Sequence, residues 1–238
     1  MNNYSSEGNL QLWSTPILVE KQNLSDEVNK RLKEIAIEAE RKASCSGSFY
    51  DRRGYYNLFD LDDPVIREFE ILMSQKFRQY LYQGVRDARA YHWDVDVRAF
   101  ANIYEYGQRI RPHYHHACDF VSVYYVDVGD GAKAPFKTNE DGRLVVIDPR
   151  GTVQYPFDQK SKRVPTEQGM FVCHPATLWH ESETFFANGM RVMISCEYTI
   201  VHEHRKAFSR LAKVEHPNPP QIKVDQAPTD TIYTQHYR

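Results

Sequence analysis

The spacing of apolar residues changes near Trp93, and this change limits the folds that the chain can adopt. Before it, two segments repeat apolar residues at intervals of three and four, which is typical of helices. After it, apolar and polar residues alternate, which is typical of half-buried strands. Two helices followed by short strands with glycine turns predict a mainly β fold, a sandwich or barrel with helices on one face.

The helical part is expected at about residues 22–85. Ser25 is a suitable N-cap for the first helix. The second helix is expected to open at Asp63-Pro64, with the aspartate as N-cap and the proline at the first helical position. Its wide apolar stripe is typical of a helix that backs a sheet, and Gly84 is the expected stop.

The strand-rich core is expected at about residues 93–201, and an extended, Pro-rich tail at about 214–238. A further strand at residues 10–21, interrupted near Pro16, is expected at a sheet edge. We find no linker, so the prediction is one domain over the whole chain. The core strands are predicted at residues 95–106, 120–128, 143–148, 169–174 and 190–201.

Composition narrows the classes of partner and compartment. The net charge of −2 offers no basic field for nucleic acid. No apolar run approaches the roughly 20 residues of a membrane span. The first residues, MNNYSSEGNLQLW, lack the basic and apolar regions of a signal peptide, and the 4 cysteines are far apart. We therefore expect a cytoplasmic protein with reduced thiols, no nucleic-acid partner and no membrane segment.

A histidine-rich stretch, YEYGQRIRPHYHHACDFVSVYY, spans Tyr104 to Tyr125. In an extended strand, His113 and His115 would point the same way, about 6 to 7 Å apart, and His116 would point opposite. Two imidazoles on one face can share a metal ion, with a third ligand from elsewhere, for which His180 is the candidate. A His-x-His pair is also common on polar edge strands, so the spacing alone leaves both interpretations open.

Arg191 opens an otherwise apolar strand. A guanidinium there can hold a carboxylate through two parallel hydrogen bonds, although it could also be a surface arginine. Asn102 and Tyr104 share one face of an earlier strand and are candidates for the same cavity. Tyr104 and Tyr125 also suit a core, which is the common place of strand tyrosines.

These motifs resemble the iron(II)- and 2-oxoglutarate-dependent oxygenases. Tyr-Glu-Tyr-Gly-Gln followed by Pro-His-Tyr-His is similar to the prolyl-4-hydroxylase pattern, and VSVYYVDV is similar to that family's following strand. A narrower resemblance, to bacterial and phage 2-oxoglutarate oxygenases with a His-x-His motif, covers roughly residues 10–200. It rests on short motifs in the right order, among them PHYH, SVYYV, Leu-Trp-His and Arg-x-x-x-Ser.

The resemblance implies a double-stranded β-helix (jelly-roll) backed by the two N-terminal helices. It also implies Fe(II) and 2-oxoglutarate as cofactors, and hydroxylation of an unactivated C–H bond with release of succinate and CO2. The implied metal ligands are His113, His115 and His180. The implied 2-oxoglutarate contacts are Arg191, Ser195, Tyr104, Tyr125 and Asn102.

Two departures from the family pattern leave alternatives open. His115 stands where many members carry an acid, so His116 or Asp119 remain candidates for the third ligand. Met193 stands where relatives often place a serine after the arginine. Ser195, one step further along the same strand face, could still reach the carboxylate of the cosubstrate.

Two other classes of protein are compatible with the motifs. One is a three-histidine metal dioxygenase of cupin type that does not use 2-oxoglutarate, and the other is a non-catalytic jelly-roll binding protein. The substrate is expected to be a small molecule or a peptide, shaped by residues 44–57 and 133–143. The oligomeric state stays open, with a homodimer as one option.

Overall fold

The computed structural model describes residues 15–44, 56–85, 93–129, 142–148, 160–164 and 166–201. The two segments expected to shape the substrate pocket lie mostly outside these ranges, and the C-terminal tail lies wholly outside them. The predicted division of the chain into one domain stays a prediction.

Both predicted helices are present. Helix α1 runs from Asp26 to Ser44, and Ser25 Oγ accepts a hydrogen bond from Val28 N at 3.2 Å. Helix α2 is Pro64–Tyr80, capped by the Asp63 side chain as predicted. It continues into a π-helical turn, Leu81–Val85, so the regular α-helix ends four residues before the predicted stop at Gly84, which lies inside that turn. Across the described ranges, no helix is long and apolar enough to cross a membrane.

The strands of the described residues form two antiparallel sheets. The strands are β1 Leu18–Lys21, β2 Val95–Tyr104, β3 Phe120–Val128, β4 Leu144–Ile147, β5 Ser161–Val164, β6 Met170–Pro175, β7 His180–Ser182 and β8 Arg191–Ile200. The larger sheet has five strands in the order β1-β6-β3-β8-β2, and the smaller has three in the order β5-β4-β7. The edge position predicted for residues 10–21 is confirmed for Leu18–Lys21, and residues 10–14 lie outside the described ranges.

Two apolar clusters fill the spaces between layers. One lies between the helices and the outer face of the five-stranded sheet, where Phe77 stacks on Tyr198 with ring centroids 3.8 Å apart. The other lies between the two sheets and includes Val123, Met193 and Leu144. The helices therefore cover one face of the larger sheet and leave its other face to the smaller sheet, which confirms a mainly β fold with flanking helices.

One local prediction was wrong. The shared face of His113 and His115 was inferred for an extended strand, but between β2 and β3 the chain is irregular, with only an isolated bridge between His113 and His180. Pro112 precedes His113 and has no backbone N–H, which a regular ladder would require. The stretch is therefore a loop held by individual hydrogen bonds, and strand alternation does not determine where its side chains point.

Candidate active site

Three imidazoles converge between the sheets. His113 and His180 exchange two backbone hydrogen bonds of 2.9 Å each, and His115 N donates to Ala176 O at 2.9 Å. These bonds bring one ring nitrogen of each histidine within 4.8 Å of the other two. Three nitrogen donors so close together fit a single first-row divalent metal ion, and imidazole is a ligand that iron accepts.

The second nitrogen of each ring is held by hydrogen bonds. His113 Nδ1 lies 2.9 Å from Arg111 O, and His180 Nδ1 lies 2.8 Å from Leu178 O. A carbonyl oxygen can only accept, so both Nδ1 atoms carry the proton. In these two rings Nε2 is then the unprotonated nitrogen that a metal requires.

His115 is held in a different way. Its Nδ1 lies 2.8 Å from Glu197 Oε1, and the two side chains are 8% and 14% exposed. The carboxylate oxygen accepts, so Nδ1 is again the protonated nitrogen and Nε2 the potential ligand. Glu197 was not a candidate in the sequence, although it lies six residues after Arg191 on the same face of β8, where a carboxylate interrupts an apolar run.

Burial keeps His180 neutral. Desolvation lowers the pKa of His180 to about 2, and the nearby His174 and His113 act in the same direction. His174 is itself fully buried, its ring centroid lies 4.8 Å from that of His180, and desolvation lowers its pKa to about 4. Neutral imidazole is the form that binds metal, so His180 is ready for a cation at physiological pH.

The two alternative ligands lie elsewhere. His116 is exposed, and its ring faces that of Tyr114 with centroids 6.5 Å apart. Asp119 Oδ2 accepts a hydrogen bond from Ile200 N at 2.7 Å. Neither residue is in a potential metal-ligand group among the residues that the structure describes. The geometry therefore favours His115 over both.

A second group of potential ligands shares His115 with the first. His115, Cys118 and Glu197 also offer ligand atoms within 4.8 Å of one another. Cysteine binds metal as the thiolate. Burial, with the negative charges of Glu197 and Asp119, raises the pKa of Cys118 to about 12, so its thiol is protonated at neutral pH. The three-histidine group is the better metal site.

Arg191 is the first residue of β8 and lies on the same face of that strand as Glu197. It is buried, with 3% of its surface exposed. Its guanidinium carbon lies 5.3 Å from the ring centroid of Phe185 and 5.9 Å from that of Tyr125. Burial raises the pKa of Tyr125 to about 12, against the influence of the Arg191 charge. A charged guanidinium and a protonated tyrosine thus lie together in an apolar setting, which strengthens their hold on an anion.

Gly142 packs against the guanidinium of Arg191. It has φ +63°, and a Cβ atom added there would lie 2.7 Å from Arg191 Nη1. The position therefore needs glycine both for its backbone conformation and for the space that the arginine occupies.

Of the remaining predicted contacts, Asn102 and Ser195 line the cavity, whereas Tyr104 is not among its lining residues. Asn102 Nδ2 donates to Ser195 Oγ at 2.8 Å, so the Ser195 hydroxyl can donate to another acceptor. Tyr104 lies opposite Arg191 in the register of β2 and β8. The cavity itself is lined by Asn102, Tyr125, Ser195, His113, His115, His180, Gly142, Glu181 and Ser182, and by apolar Phe100, Ile110, Val121, Val123, Leu144 and Met193.

Comparison with known proteins finds one matching family model. Residues 98–197 match the family model described as "Putative 2OG-Fe(II) oxygenase". This segment contains the three histidines, Arg191 and Glu197. No curated protein matches the chain.

Solved structures share the fold at low identity. A Pseudomonas putida prolyl-4-hydroxylase is 12% identical with a TM-score of 0.53, covering 79% of this chain and 90% of that one. A prolyl hydroxylase from Trichoplax adhaerens, in complex with a hypoxia inducible factor peptide fragment, is 12% identical with a TM-score of 0.54, covering 82% and 87%. HygX from Streptomyces hygroscopicus, with nickel and 2-oxoglutarate bound, is 14% identical with a TM-score of 0.50, covering 79% and 83%.

These likenesses confirm the jelly-roll fold. The family match also confirms the predicted kind of enzyme and its cofactors, Fe(II) and 2-oxoglutarate, which the family description names. Residues 98–197 of this chain are thus similar to the 2OG-Fe(II) oxygenases.

Proposed function

We propose that the protein is an iron(II)- and 2-oxoglutarate-dependent dioxygenase that hydroxylates an unactivated C–H bond of a small molecule or peptide, with release of succinate and CO2. The observation that carries this proposal is the closeness of two sites. The three imidazoles line one cavity, and the buried Arg191 guanidinium lies against two residues of the same cavity wall, Tyr125 and Gly142. A metal site next to a carboxylate site is what a metal-chelating ketoacid needs.

His113, His115 and His180 would hold the iron through Nε2. Their tautomers are set by hydrogen bonds at Nδ1, so the three lone pairs are available without a proton having to leave. When bound, iron(II) and 2-oxoglutarate supply the oxidising chemistry, in which dioxygen converts a C–H bond to C–OH as the ketoacid loses CO2 and becomes succinate.

Arg191 would bind the carboxylate of 2-oxoglutarate that is remote from the metal. Its burial between aromatic rings makes a charge-assisted pair strong, because little water competes for the guanidinium. Ser195 and Tyr125 carry hydroxyl groups on the same cavity and would donate to that carboxylate. Asn102 orients Ser195, and Tyr104 faces Arg191 across the strand pair.

The rest of the cavity wall would position substrate and exclude water. Side chains such as Val121, Val123 and Leu144 give it an apolar surface. An apolar wall favours a substrate that presents a C–H bond, and it keeps water away from the reacting centre.

The test is an assay of metal content and succinate release. Purified protein loaded anaerobically with Fe(II) should bind about one equivalent per chain, and it should release succinate only when 2-oxoglutarate and dioxygen are both supplied. His180→Ala should lose both properties, because it removes a ligand whose backbone position is secured by its bridge to His113.

Other outcomes would point to the other classes. Iron binding with dioxygen consumption that is independent of 2-oxoglutarate would indicate a three-histidine dioxygenase of cupin type. Absence of both metal and succinate would indicate a binding protein on the same fold. Either result would overturn the proposal.

A further inference from the structure

The three proposed ligands are neutral imidazoles, and this creates an electrostatic problem. His115 and His180 are 8% and 5% exposed. A divalent cation held among such side chains carries two positive charges into a largely desolvated place, and burying an uncompensated charge is costly. A carboxylate close to the ligands would offset part of that cost.

Glu197 is such a carboxylate. Its Oε1 accepts the Nδ1 hydrogen of His115 at 2.8 Å, and the bond joins residues 82 positions apart in the chain. Glu197 lies on β8 opposite Val121 of β3, so its backbone is fixed by ladder pairing in the centre of the larger sheet. The bond therefore ties the histidine loop to the larger sheet.

The three ligands differ in what holds them. His113 and His180 donate from Nδ1 to backbone carbonyls, whereas His115 donates to a carboxylate. His115 is also the residue that stands where the resemblance expects an acid. The ligand that replaces the expected acid is thus the one whose ring is hydrogen-bonded to a carboxylate.

We propose that Glu197 is a positioning residue that holds His115 as an Nε2 ligand and supplies, one hydrogen bond away from the metal, the negative charge that a directly bound carboxylate would supply. The inference rests on the proposed function, since it takes the three histidines to be the iron ligands. A carboxylate that accepts the Nδ1 hydrogen makes the imidazole a stronger donor at Nε2 and fixes its ring orientation.

The test compares metal affinity in variants that separate charge from hydrogen bonding. Glu197→Gln keeps an oxygen that can accept from Nδ1 and removes only the charge. Glu197→Ala removes both. Glu183→Gln is the matched control, because Glu183 is a carboxylate with 9% exposure that is bonded to Arg163 and not to an imidazole.

Affinity for Fe(II) alone, measured anaerobically by competition with a chelator, should fall about 10- to 100-fold in Glu197→Gln. It should fall at least as far in Glu197→Ala, and it should stay within about twofold of the unmodified protein in the control. A second reading is the visible charge-transfer band of the Fe(II)–2-oxoglutarate complex. It should move to shorter wavelength in Glu197→Gln, because the metal receives less electron density from His115.

A double variant sharpens the test. His115→Asp supplies a carboxylate that can bind the metal directly, so the charge of Glu197 is needed less in that background. Adding Glu197→Gln should therefore lower the Fe(II) affinity of His115→Asp by less than it lowers that of the unmodified protein. Equal effects of Glu197→Gln in both backgrounds would contradict a role in charge.

The outcomes distinguish this inference from the proposed function. If the unmodified protein binds no Fe(II), or if His180→Ala binds it equally well, the proposed function fails. If the unmodified protein binds Fe(II) and loses it in His180→Ala, but Glu197→Gln keeps both affinity and band position, the inference alone fails.

Two further results would also overturn the inference. Loss of affinity in Cys118→Ser as well as in Glu197→Gln, with none in His113→Ala, would make Glu197 a direct ligand of the second group. If Glu197→Gln does not fold, Glu197→Asp keeps the charge on a shorter side chain and should retain higher Fe(II) affinity than Glu197→Ala. Equal affinities of those two variants would contradict the proposal.

Discussion

The two faces of the five-stranded sheet use the same strands for different purposes. Along β8, one set of alternate residues packs towards the helices and belongs to the large apolar cluster: Val192, Ile194, Cys196 and Tyr198. The other set contacts the cavity or a residue that lines it: Arg191, Met193, Ser195 and Glu197. Side chains one residue apart should therefore differ in effect, with the outer face controlling stability and the inner face controlling binding.

The largest effect on stability is expected from the outer face. Phe77 is 1% exposed and stacks on Tyr198, so Phe77→Ala should lower the free energy of unfolding by about 3–5 kcal/mol. Chemical denaturation of the metal-free protein measures this. Fe(II) affinity of the folded variant should be unchanged, and a large loss of affinity would show that the two faces are not separable.

The next effect concerns the inner face. Arg191→Ala should weaken 2-oxoglutarate binding by about 1.5–3 kcal/mol, roughly ten- to over a hundredfold, with Fe(II) binding intact. An anaerobic titration of the charge-transfer band measures the affinity. Arg98→Ala is the control, because Arg98 lies on β2 and its guanidinium carbon is 5.9 Å from the ring centroid of Phe100. A loss in the control alone would move the anchor to Arg98.

A pair of glycine substitutions separates backbone strain from site geometry. Gly142 and Gly189 both have positive φ, +63° and +81°, so alanine at either position should cost on the order of 1–2 kcal/mol of stability. Only Gly142→Ala places its Cβ against the Arg191 guanidinium; nothing lies within 4 Å at Gly189. Weaker 2-oxoglutarate binding is expected in Gly142→Ala alone, and equal weakening in both would refute the contact.

The smallest expected effect is a pH dependence of the free energy of unfolding, and it arises from a residue on the outer face. Burial raises the pKa of Tyr124 from 10.0 to about 12, and its hydroxyl donates to Asn29 Oδ1 at 2.8 Å. The unfolded chain therefore loses this proton first. The stabilisation is complete below pH 10 and is lost as pH rises towards 12, by about 1.4 kcal/mol between pH 9 and 11.

Tyr124→Phe tests this pH dependence. The variant cannot ionise at this position, so its free energy of unfolding should decline less steeply over the same pH interval. Identical slopes in the two proteins would contradict the assignment to Tyr124.

The long elements were predictable because their patterns are regular. β3 was predicted at its observed bounds, since most of its nine residues are β-branched or aromatic and a glycine turn follows at Gly129. Two short strands were missed, each for a different reason. β5, Ser161–Val164, has three exposed residues in succession, and β7, His180–Ser182, is too short to show a period.

The site was predictable in part. The three histidines were chosen from a resemblance and from an extended backbone that the structure does not have. They converge because a bridge to His180 and a bond to Ala176 hold the loop in place. Glu197 could not be found from local spacing, because its hydrogen-bond partner His115 lies 82 residues earlier in the chain.

The most direct test of the account is the iron content of three variants of the histidine loop, purified and loaded in parallel. His115→Leu should lose its iron, while His116→Ala and Asp119→Ala should each retain about one equivalent, because neither side chain is in the cluster. Iron retained in His115→Leu and lost in either of the other two would contradict the account.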